Sequence, residues 1–206
     1  MIGSTNTLVD KKREFIIFDE TSNTAIASSY VWEKQDLLPY NFTGGSTVVY
    51  NNEIHILGSG DFTNSGNARK HYKWTGDNWI EVSILPYDFH GGRAIVYRGE
   101  LHILGGYATG TYKNHYKWTG TDWVYVSTLE SEFSMGRAVV FNDKIHILGG
   151  RNDEYTHEAW DGEKWSFVSN LPHPYYYGGA VVYNNEIHIL GGGNSDAYEL
   201  AHYKWN

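Results

Sequence analysis

One four-residue string returns four times along the chain: Ile54-His55-Ile56-Leu57, Leu101-His102-Ile103-Leu104, Ile145-His146-Ile147-Leu148 and Ile187-His188-Ile189-Leu190, at steps of 47, 44 and 42 residues. A second string trails each copy: His71-Tyr72-Lys73-Trp74, His115-Tyr116-Lys117-Trp118, a degraded His157-Glu158-Ala159-Trp160, and His202-Tyr203-Lys204-Trp205. Three of these tryptophans are followed by another (Trp79, Trp123, Trp165) and then by a leucine (Leu85, Leu129, Leu171). Trp32 and Leu38 keep the same offset, which draws the N-terminal segment into the repeat. A unit of this period cannot bury its apolar faces alone and must stack on its neighbours.

Within each unit four short β-branched or aromatic stretches read as strands, named a to d: in the first unit residues 46–50, 54–57, 71–74 and 79–83. The a–b links, Asn51-Asn52, Arg98-Gly99, Asn142-Asp143 and Asn184-Asn185, are two residues of types that tolerate positive φ. They predict primed hairpin turns. The four-residue c–d links set each tryptophan pair across one hairpin, a favourable cross-strand contact. Four antiparallel strands per unit, with a double glycine after strand b, describe the blades of an all-β propeller.

At these residues the sequence resembles the kelch-repeat family. The resemblance rests on Gly105-Gly106, Gly149-Gly150 and Gly191-Gly192 after strand b, an aromatic in strand c and a Trp in strand d. It covers about residues 30–206; Gly58-Ser59 and Glu158 depart from it. The Tyr-Asn-Asn-Glu-Ile-His-Ile-Leu-Gly phrasing is also similar to kelch-type repeats encoded by prophages, which implies a phage-associated, host-directed or virion-bound role. Some enzymes of this architecture are copper radical oxidases with a cysteine–tyrosine crosslink; with no cysteine in the chain that chemistry is excluded.

The chain enters at a d segment, residues 29–35, and leaves at a c strand, residues 201–206. Open sheet edges are sticky, so the expectation is four blades of four strands, with the N-terminal d strand around Trp32 completing the C-terminal blade. The other arrangement is a larger ring shared by two chains. Residues 14–20 form an extra strand candidate that could compete as a c strand, cap the ring or pair with a second chain as a homo-oligomer contact. The expected organisation is an N-terminal arm, residues 1–28, and a kelch-like propeller, residues 29–206.

Composition narrows the chemistry further. Zero cysteine excludes disulfides and thiolate metal sites. The 16 basic against 24 acidic residues give a net charge of −8, and a surface of that sign repels nucleic acid and anionic membrane. No apolar run approaches a membrane span, and the first residues lack a signal-peptide pattern, so the chain is expected to be cytoplasmic as synthesised. No cofactor motif appears.

The repeat also says which residues are structural. Eight of the ten histidines and all eight tryptophans recur at fixed blade positions, so packing explains them. If each d strand leads to the next a strand across one end, the variable b–c loops emerge at that end, and function belongs there. Aligning the corners on Gly45, Gly92, Gly136 and Gly178 exposes the differences: Thr43, His90, Ser134 and Tyr176 two before; Gly44, Gly91, Met135 and Tyr177 one before; Ser46, Arg93, Arg137 and Gly179 one after. The candidate ligand-binding residues are therefore His90, Arg93, Arg137, Tyr176 and Tyr177, with Asp61, Tyr107 and Arg151 from the b–c loops. The competing expectation is that Arg93 and Arg137 merely pair with Asp88 and Glu132. No acid–base pair lies outside the repeat, which favours a non-catalytic module recognising a protein or glycan. The alternatives are a sugar-acid epimerase-like enzyme, in which the two arginines hold a carboxylate while His90 moves a proton, and a structural subunit of a larger assembly with residues 1–28 as docking arm.

Overall fold

The computed structural model describes residues 14–19, 24–29, 32–60, 65–107, 112–193 and 198–206. It divides into two compact units, residues 1–37 and 38–206. In the first, β1 (Glu14–Asp19) and β2 (Thr24–Ser29) form an antiparallel hairpin with Glu14 opposite Ser29. The second holds four sheets in propeller arrangement, each meandering in chain order. The blades are β3 to β6 (Ser46–Tyr50, Glu53–Leu57, Lys70–Trp74, Trp79–Ile84), β7 to β10 (Arg93–Tyr97, Glu100–Leu104, Asn114–Trp118, Trp123–Thr128), β11 to β14 (Arg137–Phe141, Lys144–Leu148, Thr156–Trp160, Trp165–Asn170) and β15 to β17 (Gly179–Tyr183, Glu186–Leu190, His202–Trp205). A 3-10 turn at Ser65–Arg69 is the one helical element among the described residues, and no helix there is long and apolar enough to cross a membrane.

Local chemistry produces these elements as expected. Every a–b turn has both central residues at positive φ, from 47° at Asn142 to 77° at Gly99, the geometry whose twist matches the flanking strands. Trp74, Trp118 and Trp160 stand opposite Trp79, Trp123 and Trp165. Each complete c–d pair also carries a register shift, which sets Ser83, Ser127 and Ser169 opposite His71, His115 and His157. A bulge of this kind re-aims side chains.

The core lies between blades. Leu57, Leu85 and Phe89 of one side pack on Leu101, Ile103 and Trp118 of the next blade. Tyr97, Leu104 and Leu129 then pack on Ile145, Ile147 and Trp160, and Val139, Phe141 and Leu148 on Ile187 and Ile189. Burying one such side chain contributes about 1.5–3 kcal/mol, so each junction holds many kcal/mol of apolar burial.

Inside each blade the strand b histidine meets the strand c histidine, Nδ1 to Nε2, at 2.8 Å: His55 with His71, His102 with His115, His146 with His157 and His188 with His202. The following blade fixes the tautomer. Trp165 Nε1–H donates to His115 Nδ1 at 3.2 Å, so His115 carries its proton on Nε2 and donates it to His102 Nδ1. In the first blade Trp123 donates to Ser83 Oγ at 3.0 Å, and Ser83 lies 2.9 Å from His71 Nδ1, which supports the same assignment. Burial pushes His71 and His115 down to about 3, reinforced by the partner histidine, and His102, His146 and His157 down to about 4.

The expected all-β propeller of four blades is the architecture observed, and the strand expected around Trp32 is not among the strand pairs described. The fourth blade has three strands among the described residues, Ser29 is engaged in the β1–β2 hairpin, and residues 32–35 lie outside any strand. The inner strands follow one another, β3 beside β7, β7 beside β11 and β11 beside β15, and no comparable contact returns from β15 to β3.

The histidine pairs make a testable claim about acid. In the first three blades their folded pKa values lie below the unfolded value of 6.5, so the unfolded chain binds more protons between the two. Their contribution is present in full above pH 6.5 and is lost as pH falls towards 4. Glu158, whose carboxyl burial raises, runs the other way and costs stability only as it ionises. As pH is lowered from 7.5 to 4, unfolding free energies from denaturant titrations should stay flat and then fall by more than about 1.4 kcal/mol per pH unit, since several histidines act together. A level profile would refute this account.

Candidate functional site

Each corner between a d strand and the next a strand is built on a buried ring. Phe89, Phe133 and Tyr175 are fully buried, and Gly92, Gly136 and Gly178 lie flat against them: a Cβ there would come within 2.2, 2.6 and 2.4 Å of ring carbons. The residue before each glycine is left-handed in all four corners: Gly44 at 62°, Gly91 at 66°, Met135 at 61° and Tyr177 at 60°. The fold therefore demands a conformation that glycine adopts freely, yet two corners place a bulky side chain in it. Such a residue costs on the order of 1–2 kcal/mol.

A backbone ladder holds the four residues in place. Gly91 N–H donates to Gly44 O at 2.7 Å, Met135 N–H to Gly91 O at 2.6 Å and Tyr177 N–H to Met135 O at 3.2 Å. The ladder thus steps from blade to blade around the mouth. It ends at Gly44 N–H and Tyr177 C=O, which no bond joins among the described residues.

Over this ladder opens a cavity of about 520 Å³, lined by the corners (Thr43, Gly44, His90, Gly91, Arg93, Met135, Tyr177) and by Tyr107 and Arg151 from the b–c loops. Five of the eight residues singled out by sequence, His90, Arg93, Tyr107, Arg151 and Tyr177, meet in it. Arg137 and Tyr176 do not line it, and Asp61 lies outside the described residues. Sequence reasoning passed over Met135; its signal was its place at a position where sibling corners have glycine.

The arginines are structural as well as electrostatic. Arg93 Nε donates to Gly136 O and Nη1 to Gly92 O, both at 2.9 Å, tying one corner to the next. Arg137 Nη1 donates to Gly136 O at 2.9 Å. Neither forms the expected ion pair with Asp88 or Glu132 among the described residues, because the corner carbonyls take the guanidinium donors and Glu132 receives Asn152 Nδ2–H instead. Burial lowers both; Arg93, with Arg137 nearby, falls to about 10 and remains a cation. Arg151 lies 5.5 Å over the Tyr107 ring, and Tyr107 packs edge-on to His90. Burial lowers His90 and keeps it neutral at physiological pH, in space left by Gly44 and Gly60, where any Cβ would collide with its ring. Tyr177 O–H donates to Met135 Sδ at 2.9 Å, and its ring packs on Tyr176.

Blade order, junctions and corner geometry define a β-propeller with a cationic, aromatic mouth. The solved structure of YjhT is similar, with a TM-score of 0.68 at 15% identity over 84% of this chain and 67% of that one. At that identity the likeness concerns the fold. No protein-family model matches the chain, and no curated protein matches it.

The left-handed side chains give a direct test. Tyr177→Gly should leave the protein as stable as wild type or more stable by up to about 1 kcal/mol, because strain is relieved at modest entropic cost. Gly91→Ala should destabilise it, since its φ of 66° and a Met135 carbon 3.2 Å away oppose a side chain. Thermal melts of both variants check this; a large loss on Tyr177→Gly would show that the ring serves packing.

Proposed function

We propose that this chain is a non-catalytic recognition module of the kelch-repeat kind, which takes an acidic group of a glycan or protein at the propeller mouth. One observation carries the reading: the cavity is assembled from positions that differ between otherwise repeated corners and loops, including two side chains held in an unfavourable backbone conformation. Packing asks for glycine there, so the side chains answer to something else. Arg93 and Arg151 supply positive charge within a chain of net charge −8, while Tyr107 and Tyr177 supply ring area. Cations with flat aromatic surface suit a carboxylate borne on a sugar or peptide. The prophage-like phrasing of the repeat favours a phage-associated setting.

A second reading draws on His90, a neutral imidazole in the same cavity as Arg93. It could carry a proton at the carbon beside a bound carboxylate. Among the described residues that line the cavity His90 is the one His, Asp or Glu, so they offer no second base for a two-base reaction; the binding reading therefore stands first.

Calorimetry against matched acidic and neutral oligosaccharides and acidic peptides should find binding confined to the acidic set. Arg151→Ala removes an exposed cation without disturbing the corners, and is expected to weaken binding about tenfold, roughly 1.4 kcal/mol. Equal affinity for neutral ligands, or an Arg151→Ala variant that binds unchanged, would overturn the assignment. Turnover of a sugar acid that is lost in His90→Asn would replace it with the catalytic one.

A further inference from the structure

The three junctions between blades show which face covers which. Strand positions equivalent to Ile54 are buried wherever a preceding blade packs on them: Leu101, Ile145 and Ile187 are 0–1% exposed, while Ile54 itself is 46% exposed. On the opposite face, Leu57, Leu104 and Leu148 are 0–1% exposed under the following blade, while Leu190 is 42% exposed. Tyr97 and Phe141 are buried, and their equivalent Tyr183 is 63% exposed. The back of the first blade and the front of the last are thus the two halves of a fourth junction, which no packing joins among the described residues of the propeller. The corner ladder is interrupted at the same place.

A cavity adds an independent observation. About 260 Å³ opens beside β17, lined by His157, Ser169 and Leu171 of the third blade and Ile189, Tyr203 and Trp205 of the fourth. In the earlier junctions the corresponding space is taken by the d-strand tryptophan, Trp123 on Ser83 and Trp165 on His115. The fourth blade has no such strand among the described residues. The repeat supplies one elsewhere in the sequence: Trp32, six residues before Leu38 as Trp79 is before Leu85, immediately ahead of the first blade.

We infer that copies of this chain associate head to tail. The first blade of one copy packs on the front of the fourth blade of another, and the strand bearing Trp32 travels with it into the slot beside β17. Each internal junction has this connectivity, a d strand completing one blade and leading through a corner into the next. A second copy offers the right strand, corner and face together. The added corner also extends the ladder from Tyr177 C=O and so completes the wall of the mouth. The interface is heterologous, two different patches meeting, which has a distinctive consequence.

Sedimentation of the full chain should show species larger than the 23.5 kDa monomer. Tyr183→Asp with Leu190→Asp removes the accepting face, and Trp32→Ala with Ile54→Asp removes the donating one. Each double variant should sediment as a monomer. Mixed one to one, they should form a dimer and nothing larger, because each keeps the half the other lacks; the dimer also proves that both variants fold. Tryptophan emission should shift to the blue on mixing, and lose that shift when Trp32 is replaced by Phe. A wild-type chain that is monomeric at all concentrations, with Trp32 already shielded, would mean the chain covers its own ends and would overturn the inference. So would variants that fail to complement on mixing or that still self-associate singly.

Discussion

Each of the first three blades places two neutral imidazoles in contact inside an apolar junction, and the rest of the propeller depends on keeping them dry and correctly protonated. The pair is polar, yet it is buried between leucines and tryptophans, where an unpaired donor would be costly. The next blade satisfies the strand c end, where Trp165 N–H reaches back to His115 and Trp123 to Ser83 beside His71, while Nε2 of His55, His102 and His146 has no hydrogen-bond partner among the described residues. The hydrogen bond therefore passes between blades and orients one on the other, while apolar burial supplies most of the energy. The c–d bulge is part of the same device, since the register shift is what brings each serine opposite its histidine.

Above these junctions the corners obey a different constraint. A left-handed residue is required wherever one corner's N–H must reach the preceding corner's carbonyl, and the ladder enforces it regardless of side chain. The scaffold thereby becomes indifferent to what is attached at Met135 and Tyr177, beyond a fixed strain. The mouth is free to be specific because the backbone beneath it is over-determined.

Much of this was legible in the sequence. The strings around His55 and Trp74, the primed turns and the tryptophan pairs fixed strand identity, register and the face on which the loops gather. Local periodicity reports such things directly. Other features depend on partners far apart in sequence. Glu158 read as a degraded copy, but it answers a change in the adjacent corner: where Tyr40 packs on Tyr72 and Tyr87 on Tyr116, the third corner has Ser131, whose hydroxyl bonds the Glu158 carboxyl. Two departures from the repeat are thus one substitution of a ring pair by a hydrogen-bonded pair. Arg93 was chosen as a ligand contact from its variability, and its ties to the Gly92 and Gly136 carbonyls could not be read without the corner geometry. Closure was the least legible of all, because the N-terminal strand signal at Trp32 names a position in a blade without saying which molecule's blade it is.

That ambiguity bears on how the end blades are built. In a linear stack of repeats each unit is stabilised by its neighbours, and the terminal units normally exchange their apolar outer faces for polar ones. Here the last blade keeps Val181, Tyr183 and Leu190 on its outer face, and the first keeps Val49 and Ile54, all of them exposed. The fourth histidine pair is likewise retained at 2.8 Å although it is exposed among the described residues. Exposed apolar faces of this kind favour association, and among the described residues the last blade also has an open edge at β17. They match in kind the residues that face a neighbour at every internal junction. The exposed faces of the two end blades thus have the apolar character of the faces buried at the internal junctions, which is what head-to-tail packing of one copy on another requires.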